Sequence, residues 1–181
     1  MNHDSTSDDT IARVLREVRG IAMVGASANT NRPSYFVMKY MLAKGYRVIP
    51  VNPGLAGQQI LGQQVYGALA DVPADARGGP IEMIDIFRNS EAALETTREA
   101  ITLKDKLGIR VIWMQLGVRN DQAATEAAAA GLDVIMHRCP KIEYGRLSGE
   151  IGWAGVNSGR ISSTRPKLSA LGVQSHLIDG K

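Results

Sequence analysis

"IAMVGASANTNRPSYFVMKYMLAKGYRVIPVNPG", residues 21–54, decides the fold of this 181-residue chain. Ile21–Val24 is a short apolar run of the kind used by a strand covered on both faces, and Gly25 turns the chain at its end. Pro33 suits the first turn of a helix, where its missing N–H is no loss. That helix is predicted to carry Phe36, Val37, Tyr40 and Met41 inward and to close at Gly45. Tyr46–Val51 is a second apolar strand, stopping at Asn52-Pro53-Gly54. Strand, helix, strand in this order predicts two parallel strands joined by a right-handed crossover.

The same alternation extends in both directions. Upstream, Ser7 or Asp8 caps a helix whose Ile11, Val14, Leu15 and Val18 form one apolar face, with Gly20 as its stop. Downstream, a polar, glycine-rich stretch carries a short helical piece over 68–72, and "IEMIDIF" (81–87) is a third strand. Glu91–Leu107 is a long helix capped by Asn89 or Ser90 and ended by Gly108. "IRVIWMQLG" (109–117), an alanine-rich helix (120–131) and "LDVIMHRC" (132–139) complete the pattern. These elements predict an α/β fold: a Rossmann-like, doubly wound parallel sheet of about five strands with helices on both faces, filling residues 1–147. After Pro140 the periodicity breaks, which predicts loops, one short helix, and an irregular extension over 148–181 resting on the body through Trp153.

Bulk properties narrow the function. With 44% apolar and 22% charged residues, the composition is that of a globular protein, and no apolar run approaches a membrane span. "MNHDSTSDDT" lacks the basic and apolar regions of a signal peptide, so a cytoplasmic protein is expected. Cys139 stands alone and the three histidines are scattered, which supports neither a disulfide nor a metal site. The net charge of +3 is concentrated late: seven Lys/Arg face three Asp/Glu from Arg138 onward. Without a basic stripe interleaved with aromatics, nucleic acid is not the expected partner. A homodimer is the expected assembly, on the general behaviour of parallel-sheet domains.

Ligands of open parallel sheets bind beyond the carboxyl ends of the strands, where strand order reverses. Five segments therefore matter. At the first, Gly25, Ala26 and Ser27 offer a tight turn, a hydroxyl and a helix start suited to an anion, with Arg32 able to bind phosphate. At the second, Asn52-Pro53 stands where a NAD site wants an acid and an NADP site an Arg; Pro53 could flank a purine and Asn52 bond a ribose, although Asn-Pro-Gly is equally a turn signal. Phe87-Arg88 gives an apolar wall and a second cation. Gln115, Leu116 and Gly117 form a loop whose backbone N–H groups could meet a polar chain, while Trp113 reads as core. Arg138-Cys139-Pro140 ends the fifth strand. His137 and Cys139 are close in sequence, but no nucleophile and base are identified as a pair, and Cys139 is expected to be unreactive.

With those segments aligned, "VGAS" followed by "NRPSY", "VIPVNP", "QQVYGALADVP", "IDIFR", "IWMQLG" and "HRCPKIEYGRL" resemble the small stand-alone CoA-binding proteins of the YccU-like type. That family is itself similar to the N-terminal domain of the succinyl-CoA synthetase alpha subunit. The resemblance spans about Ile11 to Leu147 and implies that the ligand is coenzyme A or an acyl-CoA. It implies that Gly25, Ala26 and Ser27 wrap the pyrophosphate near Arg32, that Asn52 and Pro53 approach the adenosine, that Phe87 and Arg88 form the opposite wall, and that Gln115 to Gly117 meet the pantetheine. The synthetase's phosphorylated histidine comes from a second domain, and His176 lacks its surrounding motif, so the ligase reaction is not implied. An NAD(P)-dependent oxidoreductase is the alternative, disfavoured by Ser27 and Thr30 at glycine positions and by Asn52. For Arg160 and Arg165, flanking "ISST", closing over a phosphate or reaching a partner subunit stands level with a merely solvated tail.

Overall fold

In the computed structural model, which describes residues 6–76 and 78–150, the chain runs α1 (Asp8–Glu17), β1 (Gly20–Val24), α2 (Pro33–Ala43), β2 (Arg47–Val51), a hairpin of β3 (Gln59–Ile60) and β4 (Gln63–Gln64), then β5 (Met83–Ile86), α3 (Ser90–Leu107), β6 (Val111–Met114), α4 (Asp121–Ala129), β7 (Asp133–Ile135) and α5 (Pro140–Leu147). Five strands pair in parallel in the order β2-β1-β5-β6-β7. From β1 the chain steps out to β2, then returns to lay β5 on the other flank of β1. Strand order reverses there, and the crossovers part to leave a crevice beyond Val24 and Ile86.

Both faces of this sheet are covered, which is why its strands read as unbroken apolar runs. Ile21, Met23, Met83 and Trp113 face a layer of α1, α2 and α5. Ala22, Ile84, Ile86 and Ile112 face α3 and α4. Each large aliphatic chain buried in this way contributes roughly 1.5–3 kcal/mol. The buried exception is Asp85, enclosed in β5 between Met23 of β1 and Trp113 of β6.

Local signals set the element ends. Ser7 caps α1, its Oγ accepting from the Thr10 N–H. The helix stops at Glu17, so Gly20 is not its terminator; it opens β1, where a Cβ would lie 2.1 Å from the Pro80 carbonyl oxygen. Pro33 occupies the first turn of α2, whose buried stripe is Ser34, Val37, Met38 and Met41. Phe36 falls off that stripe and is exposed, contrary to its predicted inward position, and Tyr40 is half-buried. Asn89 and Asn120 cap α3 and α4 through the Ala92 and Ala123 N–H groups, and Gly108 ends α3 in the left-handed region.

The hairpin of β3 and β4 follows β2, and a 3-10 turn at Leu69–Asp71 stands where a short helical piece was predicted. Beyond β7 the broken pattern still yields a helix: α5 starts at Pro140 and buries Tyr144 edge-on against Tyr40 and Tyr46, ring centres 5.9 and 6.2 Å away. Trp113 is fully buried, its Nε1 donating to the Arg138 carbonyl at 2.8 Å and fixing the approach to α5. Trp153, Arg160, Arg165 and His176 lie outside the described residues. Among the described residues no helix is long and apolar enough to cross a membrane.

Candidate functional site

The carboxyl ends of β2, β1, β5 and β6, with the first turns of α2 and α5, enclose a cleft of about 770 Å³. Its base is the turn after β1. Gly25 has φ +89°, and a Cβ there would sit 2.4 Å from the Phe87 carbonyl oxygen, so both backbone conformation and close approach to β5 demand glycine. The Gly25 N–H donates to the Val51 carbonyl at 2.9 Å, which locks the turn to β2. Ser27 Oγ accepts from the Asn29 N–H, and Asn29 Oδ1 from the Asn31 N–H, coiling the loop toward α2. Arg32 is the N-cap of α2 and has no capping side-chain bond; its exposed guanidinium lines the cleft beside the helix's positive end. This corner favours an anion.

Asn52 acts as the turn residue that Asn-Pro-Gly signals and lines the cleft as well. Nδ2 donates to the Ala26 carbonyl at 2.7 Å and Oδ1 accepts from the Gly54 N–H at 2.9 Å. The amide thus ties the turn after β1, through Ala26, to the 3-10 turn Pro53–Leu55 that it caps, and the residue lines the cleft between them. Pro53 does not reach the cleft. It is exposed and borders a separate hollow of about 230 Å³ on the α3 side, shared with Leu69, Glu95 and Glu99. Arg88 borders both hollows, its stem passing Gly25, and Phe87 lines the main cleft.

Below the cleft, Gln115 Nε2 donates to Asp85 Oδ1 at 2.9 Å. Asp85 Oδ2 has no hydrogen-bond partner among the described residues. Burial pushes the Asp85 carboxyl up to about 7, outweighing the opposing effect of the Gln115 bond. Leu116 lines the opening, but Gly117 does not: its N–H is taken by His137 Nδ1 at 2.8 Å, which joins the β6 loop to the loop after β7. His137 is thereby turned to the backbone of a neighbouring strand end.

Ser34, Phe36, Val37, Val118, Lys141 and Ile142 also line the cleft; Phe36 and Val37 were expected in the core instead, and the other four had no expected part in the site. Most belong to helix starts, and the Pro140 beginning of α5 was the available signal that a helix, with Lys141 and Ile142 in its first turn, returns to the strand ends. Cys139 lines the cleft as well; burial is the main cause raising its thiol's pKa, and the nearby Asp85 charge adds to it.

A family model for the CoA binding domain matches residues 19–145, from the start of β1 to the last turn of α5. The chain belongs to the CoA-binding domain family. The CoA-binding domain here is 31% identical, over 134 residues, to the uncharacterized protein YneT of Bacillus subtilis (strain 168), covering 74% of this chain and 91% of YneT. It also superposes on solved structures. A hypothetical protein from Pyrococcus horikoshii OT3 matches with TM-score 0.70 at 35% identity, covering 80% of this chain and 94% of that one. Cell-free ID.343 from Thermus thermophilus matches with TM-score 0.69 at 29% identity, over 78% and 99%. The matched region of this CoA-binding domain contains the residues that the main cleft draws together.

Proposed function

We propose that the chain binds coenzyme A or an acyl-CoA in the 770 Å³ cleft and holds it without turning it over. The observation that carries this reading is the corner built by Gly25, Ala26, Ser27 and Arg32, placed at the strand-order reversal of a CoA-binding family domain. The pyrophosphate would lie at the start of α2, with Arg32 and Arg88 on either side. Asn52 argues against NAD, because an amide committed to Ala26 and Gly54 offers no carboxylate to a ribose. A binder is favoured over an enzyme by the buried, high-pKa thiol of Cys139 and by the engagement of His137 with Gly117. The same reading includes a cytoplasmic homodimer.

Isothermal titration with CoA, dephospho-CoA, NAD and NADP tests it. CoA is expected to bind with micromolar or better affinity and NAD not at all. CoA at a hundred times its dissociation constant is then expected to stabilise the fold by about 2.7 kcal/mol. Binding of NAD without CoA would sink the reading. Sedimentation of the full chain as a monomer would remove the dimer alone.

A further inference from the structure

Three large apolar side chains among the described residues remain substantially exposed: Phe36, Leu116 and Ile142, at 51, 53 and 44%. All three line the main cleft. They come from α2, from the loop after β6 and from the first turn of α5, so the fold, not a run of sequence, brings them together. Scattered exposed apolar residues need no explanation, but convergence on one opening does. Behind them Val37, Val118 and Cys139 continue an apolar wall inward, each at least nine-tenths buried. Gln115, the polar side chain on this side, is directed below the cleft to Asp85, and Lys141 carries its Nζ 5.9 Å from the centre of the Tyr40 ring.

The corner at β1 and β2 presents Ser27 and Arg32, and Phe36 stands one helical turn along α2 from Arg32. The cleft therefore sets an anion-friendly corner beside an apolar rim that extends from Phe36 across to Leu116 and Ile142, which matches a ligand charged in one part and aliphatic in another. Its concave form and volume fall in the small-molecule range, whereas a stable protein partner would need about 800 Å² of surface on each side.

We propose that Phe36, Leu116 and Ile142 form an acyl-chain subsite, so that the preferred ligand is a CoA thioester with an aliphatic chain longer than acetyl. The inference rests on the CoA reading above and adds the chemistry of the group carried. The test is isothermal titration of the full-length chain with CoA, acetyl-CoA and hexanoyl-CoA, beside a Phe36→Ala/Ile142→Ala double variant. A methylene moved fully into apolar contact tightens binding about fourfold, so hexanoyl-CoA is expected to bind at least about tenfold more tightly than acetyl-CoA. In the double variant that ratio is expected to shrink to about twofold or less. Equal affinity of the unaltered chain for the two thioesters would overturn the subsite and leave CoA binding intact. A ratio that survives in the double variant would also overturn it, by putting the chain elsewhere. Failure of all three CoA compounds would instead remove the underlying reading.

Discussion

Beneath α3 and α4 the sheet meets alanines. Ala93, Ala100, Ala123, Ala124 and Ala127 pack there against Ala22, Ile84 and Ile112, and the buried polar side chains of α3, Thr96 and Thr97, donate to the carbonyls one helical turn back. Beneath α1, α2 and α5 the filling is heterogeneous: Tyr46 donates to the Leu15 carbonyl, Tyr144 lies between two other tyrosine rings, and the buried charged residues among those described, Lys44, Asp85 and Glu143, are all on this side. Lys44 bonds Glu150 and lies 5.1 and 5.0 Å from the centres of the Tyr40 and Tyr144 rings. Glu143 accepts from Arg138 and Arg146, and Arg146 reaches on to Asp8, tying α5 to α1. The cleft opens on this second face. One side of the molecule uses interchangeable small residues to secure the sheet, and the other uses side chains whose identity matters to position the site.

Substitutions can break or sharpen that contrast. Tyr144→Ala should cost about 3–5 kcal/mol in urea unfolding, against about 0.5–1.5 for Ile112→Val on the alanine-rich side. A loss well under 3 kcal/mol for Tyr144→Ala would mean that the tyrosine cluster does not hold α5 as described. The next effect is one of pH. Asp85 has a folded pKa of about 7, above the ordinary carboxyl value of 3.8, so its contribution is full below pH 3.8 and is lost as pH rises through 7. Between those values the folded chain binds more protons than the unfolded one, and stability should fall by an amount on the order of 4 kcal/mol. Asp85→Asn keeps an acceptor for Gln115 and should flatten that part of the profile; an unchanged slope in the variant would assign it to another group.

At the cleft itself, Gly25→Ala should cost about 3 kcal/mol or more, combining left-handed strain with the clash at Phe87. Gly117→Ala meets open space and should cost only the conformational term, about 1–2 kcal/mol. Thermal melts of the two variants compare them directly. The smallest effect is expected outside both cores. Arg98→Ala removes an exposed ion pair with Glu126 and should leave the unfolding midpoint where it was.

Much of this architecture was legible because buried strands and capped helices leave strong local marks: the apolar run before Gly25, Asn89 before α3, Gly108 after it. The cleft was legible in part, since the rule that ligands gather at strand ends identifies Gly25, Ser27, Arg32, Asn52, Phe87, Arg88, Gln115 and Leu116 without any knowledge of side-chain direction. Direction is what that rule does not carry. Phe36 is one residue from the buried Val37, and that step of about 100° separates the core from the rim. Pro53 follows Asn52 but faces another hollow, and Gly117 follows Leu116 but gives its N–H to His137. The β3–β4 hairpin has strands of two residues, too short to show a period. Asp85 is one of two acids in "IEMIDIF", yet only the register with Met23 and Trp113 reveals how completely it is enclosed.

The seam between β1 and β5 also has a consequence for the route by which the chain folds. Pairing those strands closes a loop containing α2, β2 and the hairpin, a non-local step that must bear its entropy before the contacts reward it. Gly25 and Phe87 approach each other across that seam, so the floor of the cleft does not exist until the step is complete. A nascent or misregistered chain can form α2 and its neighbouring strands and still have nowhere to hold a ligand. A ligand held in the cleft would therefore stabilise only chains that had completed that step.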